Sequence, residues 1–478
     1  MIGSHVKWKG QWNGLLGKWT DSSAYPVSPG RIPGLQLWYS ASNPAYDAFT
    51  YEQALPTLFD GSGNGWNAAQ ATGSAQARFL THDGRNYLRS PGIAGNYAST
   101  PDSAAVSITG DIDLRVFCAL PDWSPSSDST LIAKYTGAAN LSYRLLVNNF
   151  SGGTLRFSAS VDGSTAVSAT SSAAPGFTDF SANWVRATWR QSDGRVQFFT
   201  SSDGAVWVQL GTDRTIAIAS IFNGNAVVEI GSSTAGAAQV AAGIFYRAQI
   251  YNGINGTLVA DFDPSRGNFN SATIGSSTGE TWTINRTGLD PAMIVSARAF
   301  LPLTDDYYDI AAGAAGVLQN VGGGTMVCAR AYNSAAVVMQ GLVFSTNTAT
   351  ASRMGLRISA AAYEITGRRL DADTVATAAA AAQQSAYEFA VQAGRIDYAA
   401  AIATNFKNGA VAGSASAFQT AGLTSNTASA RMRVFSDMSN TPIAYASGPV
   451  TDLLLYNQAV TDANILGLST FLRSQAGL

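Results

Sequence analysis

Alternation of apolar and polar residues is the dominant pattern along this chain of 478 residues. The clearest case is the segment 183–190, which reads Asn-Trp-Val-Arg-Ala-Thr-Trp-Arg. A period of two predicts a β-strand with one buried face, because successive side chains of a strand point to opposite sides. The predicted buried face carries Val185, Ala187 and Trp189, and the predicted outer face carries Trp184, Arg186, Thr188 and Arg190.

Turn signals separate these strand-like runs at short intervals. The segments Ser192-Asp-Gly-Arg and Ser202-Asp-Gly-Ala each contain an Asp-Gly pair, and residues 148–153 read Asn-Asn-Phe-Ser-Gly-Gly. Such residues tolerate the positive φ angles that tight hairpins need. Short strands joined in this way predict an all-β sandwich or barrel.

The same motifs occur twice and in the same order. The first copy contains Leu35-Gln-Leu-Trp-Tyr-Ser, Trp66 and Cys118. The corresponding positions of the second copy are Leu258-Val-Ala-Asp-Phe-Asp, Trp282 and Cys328. A repeat of about 220 residues is too long for a solenoid unit and indicates two globular domains of one fold. We therefore predict a leader over residues 1–33, a first domain over 34–256 and a second over 257–478.

Two segments of the second copy have helical features. Residues 462–474 follow a possible N-cap, Thr461, and place Ile465, Leu468 and Leu472 in one stripe, so they predict an α-helix. The alanine-rich run 374–385 also favours a helix by intrinsic propensity. Its position within the repeat instead assigns it to a strand-and-loop region, and that is the prediction we adopt.

Composition limits the classes of partner. Charged residues are 13% of the chain, against about a quarter in typical domains, while 46% of residues are hydrophobic, which excludes a disordered chain. The net charge is −2 and no Lys/Arg run follows the first 20 residues, so nucleic acid is not expected as a ligand. Neither a signal peptide nor an apolar run long enough to span a membrane is visible, which predicts synthesis in the cytoplasm and no membrane insertion.

Both cysteines lie in apolar, alternating segments and are expected to be buried and reduced, with intermolecular bridging or a reactive thiol as the alternatives. The leader contains Trp8, Trp12 and Trp19 and then three prolines. Three tryptophans in so short a segment cannot form a core alone, so we interpret them as an anchor. They would pack on the first domain, dock to a partner protein or bind sugar.

A family resemblance is carried by three segments: residues 96–115, the hairpin 200–211, and Ser277-Thr-Gly-Glu-Thr-Trp-Thr-Ile-Asn. They resemble laminin-G-like domains of the concanavalin-A-like lectin superfamily, and more narrowly the versions found in tailed-bacteriophage virion proteins. The resemblance covers roughly residues 35–478. It implies two tandem antiparallel jelly-roll β-sandwiches. It does not decide function, because the family includes sugar binders, adhesion modules, enzymes and structural modules.

Catalytic chemistry is poorly represented. The chain has two histidines, His5 and His82, and five glutamates, and it contains no strand with the paired carboxylates that a retaining glycosidase needs. Asp111 and Asp113 would share one face of a strand, but they lie at a Gly-Asp turn, where solvated charge is expected and explains them without catalysis. We therefore predict a protein that is not an enzyme and has no catalytic residues.

Calcium and sugar are the ligands that remain possible. Asp60 and Asn64, in Asp-Gly-Ser-Gly-Asn, offer oxygen ligands for Ca²⁺, although a glycine-rich turn explains the same residues without a cofactor. For sugar, Trp123 and the outward pair Trp184 and Arg186 are the candidate binding residues. The alternative is that these tryptophans pack under loops or against the neighbouring domain, since tryptophan is usually mostly buried.

Together these features predict a non-enzymatic bacteriophage virion protein on the tail or head surface, with sandwiches that contact host cell-surface glycans. The first alternative is a capsid or tail decoration protein that binds no sugar, and the second is a polysaccharide depolymerase. The expected partners are other virion proteins, host polysaccharide and further copies of the chain in a homo-oligomer.

Overall fold

The predicted all-β class is confirmed by a computed structural model of the chain. It describes residues 10–13, 18–21, 27–137, 139–303, 305–310, 316–331, 340–348, 351–359, 362–383, 385–427, 431–436 and 445–478. Apart from five short 3-10 helices, one α-helix is present among these residues, and all other regular elements are strands. Within the described ranges no helix is both long and apolar enough to cross a membrane.

The chain forms two compact units that differ from the predicted halves. Unit 2 is the continuous segment Arg85–Ser296, and unit 1 combines Met1–Gly84 with Ala297–Leu478. The predicted boundary at 256/257 lies inside unit 2, because strand Ala242–Asn252 forms a hairpin with strand Thr257–Phe262. The backbone of Gly253, at φ +91°, adopts the left-handed conformation that this tight connection requires. Unit 2 is thus inserted into unit 1.

Unit 2 is a sandwich of two antiparallel sheets. Its first sheet has nine strands in the order β17-β16-β15-β10-β20-β8-β24, with β18 beside β16 and β21 beside β20, and its second has eight in the order β14-β13-β12-β11-β19-β9-β23-β22. The strands are β8 Tyr87–Pro91, β9 Tyr97–Thr100, β10 Ile112–Ala119, β11 Ser129–Tyr135, β12 Leu141–Val147, β13 Leu155–Ser160, β14 Ala166–Thr170, β15 Asn183–Arg190, β16 Arg195–Ser201, β17 Val208–Gln209, β18 Arg214–Thr215, β19 Val228–Ile230, β20 Ala242–Asn252, β21 Thr257–Phe262, β22 Thr273–Gly275, β23 Thr281–Asn285 and β24 Met293–Val295.

Unit 1 is built in the same way. Its sheets have the orders β34-β33-β32-β27-β36-β25-β7-β4, with β3 beside β36, and β31-β30-β29-β28-β35-β26-β6-β5. The N-terminal strands are β3 Leu35–Ser40, β4 Gln53–Ala54, β5 Thr57–Leu58, β6 Ala68–Ala69 and β7 Arg78–Leu80, preceded by a hairpin of β1 Gly10–Asn13 and β2 Lys18–Asp21. The C-terminal elements are β25 Ala299–Leu301, β26 Tyr308–Ile310, β27 Gly323–Arg330, β28 Gln340–Thr348, β29 Ala351–Ser359, β30 Ala362–Gly367, β31 Ala376–Gln383, β32 Ala390–Asp397, β33 Ile402–Lys407, β34 Ala410–Ser416, β35 Arg431–Val434, β36 Val450–Tyr456 and the helix α1 Asp462–Gln475.

The two sandwiches exchange equivalent segments of the sequence repeat. In the eight-stranded sheets, β22 and β23 of unit 2 occupy the places that β5 and β6 occupy in unit 1. The first part of each repeat therefore completes the sandwich formed by the remainder of the other repeat. The duplication read from the sequence corresponds to two similar folds, but the structural units are out of phase with the sequence repeats.

The predicted alternation of β15 is confirmed by the core of unit 2. Val185, Ala187 and Trp189 are fully buried in one cluster with Phe262 and Trp282, which the exchanged segment supplies. Cys118 and Cys328 lie on the corresponding central strands β10 and β27, and both are buried without a disulfide. Burial raises the pKa of the Cys328 thiol to about 12, so the thiol is neutral at physiological pH.

Both predictions about the helical segments are confirmed. The helix α1 begins after Thr461, whose Oγ1 accepts a hydrogen bond from the Asn464 N–H, and it buries Ile465, Leu468 and Leu472. Most of the alanine-rich run forms β31, which pairs with β30 in the second sheet of unit 1. Hydrogen bonding within the sheet outweighs the intrinsic preference of alanine for helices there.

A pH dependence is expected from Asp306 in unit 1. Burial raises the pKa of this carboxyl to about 6, although the Leu303 N–H donates to it at 2.7 Å. A raised carboxyl pKa favours the protonated folded state, so its stabilising effect is complete below pH 4 and is lost as the pH rises through about 6. Asp306→Asn should stabilise unit 1 at pH 7 by on the order of 2–3 kcal/mol, since each pKa unit corresponds to about 1.4 kcal/mol.

Thermal unfolding of the wild type and of this variant between pH 4 and pH 7 measures the effect. The gap between the two should close toward pH 4. The charge of the exposed Asp305 also raises the pKa of Asp306, so Asp305→Asn should stabilise unit 1 at pH 7 in the same direction but by less. Equal stability of wild type and Asp306→Asn at pH 7 would contradict the expectation.

Candidate functional site

The candidate site lies on the outer face of the nine-stranded sheet of unit 2. On β10, Ile112, Leu114, Val116 and Cys118 belong to the core, so the residues between them, which are Asp113, Arg115 and Phe117, point away from it. Strand β15 alternates in the same way, and a register shift of β20 opposite Phe117 brings Tyr246 beside that ring. We call the outward set the aromatic–arginine face; it comprises Phe117, Trp184, Phe199, Trp207, Tyr246, Tyr251, Arg85, Arg115, Arg186 and Asp113.

Aromatic rings form a continuous row across the face. Phe117 and Trp184 are direct cross-strand partners, and their rings stack with centroids 5.2 Å apart at an interplanar angle of 10°. Tyr246 lies 4.9 Å from Phe117 on one side, and Trp207 lies edge-on 6.2 Å from Trp184 on the other. These four rings are partly exposed, so the row offers an apolar surface with polar N–H and O–H groups.

Arginines alternate with the rings along this row. The Arg85 guanidinium lies 4.8 Å from the Tyr246 ring centroid. The Arg115 guanidinium lies 4.2 Å from Tyr251 and 5.5 Å from Trp207. Attraction between a cation and the negative face of a ring favours these arrangements and limits the movement of both side chains.

A buried carboxylate fixes two of the arginines. Asp113 is 0% exposed, and it accepts from Arg186 Nε at 2.9 Å and Nη2 at 2.7 Å, and from Arg115 Nε at 3.2 Å and Nη2 at 2.8 Å. Asn255 completes the cluster, because its Oδ1 accepts from both Nη2 atoms and its backbone N–H donates to Asp113. Arg115 and Arg186 are direct cross-strand partners, so without these acceptors their like charges would repel.

Amide and carboxylate groups continue the face toward its exposed edge. Gln197 on β16 and Gln209 on β17 both donate to Asp213 Oδ1, at 2.9 and 2.8 Å. Arg195 donates to the other carboxylate oxygen at 3.3 Å. A row of rings flanked by amides, a carboxylate and guanidiniums is a set of groups that can stack on a sugar ring and hydrogen-bond to its hydroxyls.

The corresponding face of unit 1 has a different character. Val327 and Ala393 occupy the register positions of Phe117 and Trp184, and both are buried. The helix α1 packs against β27 and β32 there, and Arg395 of β32 donates to Asp462 at its first turn at 2.6 Å. Unit 1 therefore covers this face with its own helix, whereas no α-helix is present among the described residues of unit 2.

The predicted sugar-binding residues are separated by the structure. Trp123 is only 3% exposed and packs edge-on against Phe177, with the ring centroids 4.9 Å apart. Its ring therefore presents no face to a ligand, as expected from the alternative in which it packs under loops. Trp184 and Arg186 do lie together on the aromatic–arginine face. Arg186 is itself mostly buried, and its guanidinium is held by Asp113 and lies 4.9 Å from the Phe199 ring.

The residues proposed for calcium form a hydrogen-bonded turn. Asp60 Oδ1 accepts from the N–H groups of Trp38 and Ser62, and Oδ2 accepts from the Ser62 hydroxyl and the Trp66 N–H. Asn64 donates to the Gln36 carbonyl at 3.0 Å. Within the described ranges no group of three or more His, Cys, Asp and Glu side chains could hold a metal ion. Calcium binding at Asp60 and Asn64 stays a prediction.

The two carboxylates weighed for catalysis have structural partners. Asp113 lies between two arginines, and Asp111 accepts from the Gln191 N–H at 2.7 Å. Both carboxylate oxygens of Asp113 accept hydrogen bonds from the two guanidiniums. The face therefore has binding groups but no unpaired carboxylate pair at these positions.

The leader is partly integrated into unit 1. The Pro29 carbonyl accepts from the Tyr456 hydroxyl, and the Pro33 carbonyl accepts from the Gln458 side chain, so the predicted boundary at 33/34 lies within a packed segment. Strands β1 and β2 pair with Trp12 opposite Trp19. Trp8 lies outside the described residues.

Several residues of the face were missed from the sequence. Arg115 and Phe117 alternate with core residues of β10, so the period-two pattern used for β15 would have found them. Trp207 lies just outside the two-residue strand β17, and nothing local in its sequence indicates that it reaches Arg115 and Arg186.

Comparisons with known proteins found similarity only to solved structures. No protein-family model matches it, and no curated protein matches it. Similar solved structures include the CBM40 of a Ruminococcus gnavus IT-sialidase bound to α2,3-sialyllactose (TM-score 0.29, 20% identity, 33% of this chain and 86% of that chain). Another is the LG4-5 pair of the mouse laminin α1 chain (TM-score 0.29, 11% identity, 78% and 91%). Sialyllactose is the ligand bound in the Ruminococcus gnavus structure.

Proposed function

We propose that this protein is a non-enzymatic virion protein of a tailed bacteriophage, and that unit 2 binds host cell-surface glycans through the aromatic–arginine face. One observation carries the glycan part of the proposal. A row of partly exposed rings, from Tyr246 to Trp207, lies beside arginine and amide groups on a sheet face that has an α-helix over it in unit 1.

The chemistry of sugars fits this face. A pyranose ring has an apolar side of C–H groups that stacks on an aromatic ring, and its hydroxyls both donate and accept hydrogen bonds. Trp184 and Trp207 provide the rings, and the Gln197, Gln209 and Asp213 cluster provides acceptors and donors. The strands and the Asp113 cluster fix these side chains in advance, which lowers the entropic cost of binding.

The virion part of the proposal is supported by the resemblance to phage laminin-G-like domains described above. Display of several copies on a particle surface, as a homo-oligomer or beside other virion proteins, would strengthen weak single-site binding, because later contacts become intramolecular. A decoration protein that binds no sugar is the alternative, and it predicts that the face has no glycan ligand.

Binding of purified host surface polysaccharides to the intact protein tests the proposal. Trp207→Ala should weaken binding at least about tenfold, which corresponds to ~1.4 kcal/mol, because it removes a ring that contacts Trp184 and both cluster arginines. Phe150→Ala is the matched control: Phe150 is a 65% exposed aromatic residue of unit 2 that lies on the loop between β12 and β13, away from the face.

The polymer length is followed in the same samples by size-exclusion chromatography. Unchanged length is expected, and shortening by the purified protein would favour the depolymerase alternative. Absence of binding to every host polysaccharide would favour the decoration role. If Trp207→Ala binds the polysaccharide no more weakly than Phe150→Ala does, the ligand binds elsewhere on the protein.

The anchoring role proposed for Trp8, Trp12 and Trp19 is tested by truncation. Deletion of residues 1–26 leaves intact the contacts of Pro29 and Pro33 with unit 1. Both units should therefore unfold at wild-type temperatures, while incorporation into particles is lost. Normal incorporation of the truncated chain, measured in purified particles by immunoblot, would show that the leader is not the anchor.

A further inference from the structure

We infer that the glycan bound by the aromatic–arginine face carries a carboxylate, as a uronic or sialic acid does, and that Arg115 and Arg186 bind it together. This inference rests on the proposed function, since it names the chemical class of the ligand at the same face. The observations behind it are the unpaired guanidinium nitrogens, the local charge and the rings beside them.

The guanidinium nitrogens of the two arginines are only partly used. In each residue, Nε and Nη2 donate to Asp113, and Nη2 also donates to Asn255. The Nη1 atom of neither residue has a hydrogen-bond partner within the described ranges. Neither atom is among the unpaired polar atoms that are buried there, so both Nη1 atoms keep access to solvent.

The charge of the cluster is unbalanced. Two guanidiniums share one carboxylate, and the fourth member, Asn255, is neutral. Two other arginines near the face have their own acids: Arg247 pairs with Asp261 at 2.9 Å, and Arg195 pairs with Asp213 at 3.3 Å. Within the cluster, Arg115 and Arg186 carry a surplus positive charge, and their side chains are 11% and 6% exposed and so poorly screened.

The rings around the cluster favour a carboxylate that is attached directly to a sugar ring. Trp207 lies within 5.5 Å of both guanidiniums, and Tyr251 lies on the other side of Arg115. A sugar ring bound beside Trp207 would lie next to both guanidiniums, within reach of a carboxylate on its own ring carbon. Arginine is suited to this contact, because its planar fork matches the geometry of a carboxylate and its charge strengthens the hydrogen bonds.

An array of neutral and acidic oligosaccharides, probed with the intact protein, tests the inference. The acidic members are sialylated, glucuronate-containing and galacturonate-containing oligosaccharides, each printed beside its carboxyl-reduced form. We expect binding to acidic members only, and a loss of at least tenfold on carboxyl reduction. Equal binding of an acidic glycan and its reduced form would overturn the inference while leaving the proposed function in place.

Other outcomes are equally decisive. A preference for sulfated or phosphorylated members that lack a carboxylate would overturn the carboxylate assignment. Binding to no glycan on the array would overturn the inference, and the polysaccharide assay above shows separately whether the proposed function fails with it. These comparisons use the wild-type protein, so they do not depend on the folding of a variant.

Variants then locate the contact. Arg115→Lys keeps the positive charge beside Asp113 but removes the Nη1 donor, and it should weaken binding of the acidic glycan about tenfold or more while binding of neutral members stays absent. Arg214→Gln removes an exposed cation of β18 outside the face and should leave binding unchanged. Melting curves identify a variant that unfolds, in which case Arg186→Lys replaces it. Wild-type affinity in a folded Arg115→Lys protein would contradict the assignment.

Discussion

The fragment 85–296 is expected to fold by itself into a cooperative β-sandwich, whereas the fragment 34–256, which is one full sequence repeat, is not. The first contains all seventeen strands of unit 2, β8 to β24. The second lacks β21 to β24 and with them Phe262, Ile274, Trp282 and Ile294, which are buried in the core of unit 2. Burial of each such side chain contributes about 1.5–3 kcal/mol. Their combined loss is comparable with the whole stability of a domain, roughly 5–15 kcal/mol.

Urea unfolding followed by tryptophan fluorescence and circular dichroism distinguishes the two fragments. The fragment 85–296 should give one transition, and the fragment 34–256 should be unfolded or aggregated. A complementary chain, residues 27–84 joined to 297–478, should also fold, because it contains the strands of unit 1 from β3 onward. A stable fragment 34–256 would mean that β3 to β7 can replace β21 to β24, which would contradict the exchange of segments between repeats.

Replacement of Asp113 by alanine is expected to destabilise unit 2 by roughly 3–5 kcal/mol, the usual cost of removing one partner from a buried ion pair. The carboxylate is fully buried and is the anion that both Arg115 and Arg186 contact. Without it, two cross-strand guanidiniums face each other with only the Asn255 oxygen between them. Glycan binding should fall as well, because the arginines lose their fixed positions.

Chemical denaturation of the fragment 85–296 with and without the substitution measures this loss. Asp111→Ala is the control, since Asp111 accepts one backbone N–H and is partly exposed, and its loss should cost about 1 kcal/mol. A difference of less than 1 kcal/mol between the Asp113 variant and the wild type would show that the cluster does not hold the face together.

Local patterns were sufficient to predict the strands and the helix. Trp184 to Arg190 alternate as a half-buried strand must, and the Asp-Gly pair at Asp193 forms the predicted turn between β15 and β16. Thr461 caps α1 as its side chain and position suggested. Each of these features depends on neighbours in sequence, so a single chain contains the information that determines it.

The pairing of segments between repeats could not be predicted from the same patterns. The segment 257–295 and its counterpart near the N-terminus have similar sequences, so the alternation of apolar residues fits either sandwich. The hairpin at Gly253 joins β20 to β21 and keeps the following strands in unit 2. The segment 252–256 reads Asn-Gly-Ile-Asn-Gly. A tight turn of this composition is difficult to distinguish in sequence from a linker between domains.

Only part of the candidate site could be predicted from the sequence, for a related reason. Trp184 and Arg186 were identified because they share one strand with a clear period of two. Asp113, Arg115, Trp207 and Asn255 join them through contacts between residues far apart in sequence. The burial of Trp123 could not be decided from the sequence, because a tryptophan after a Pro-Asp turn has the same local sequence whether its ring packs inward or outward.

The most direct test of glycan binding by the aromatic–arginine face is ¹⁹F NMR of the intact protein labelled with 5-fluorotryptophan. The ten tryptophan signals are assigned by single substitutions and followed as a host polysaccharide fragment is added. The signals of Trp184 and Trp207 should shift or broaden, while those of the core residues Trp189 and Trp282 and of the buried Trp123 should stay in place. Unchanged signals of Trp184 and Trp207 under conditions where the polysaccharide is bound would contradict the account.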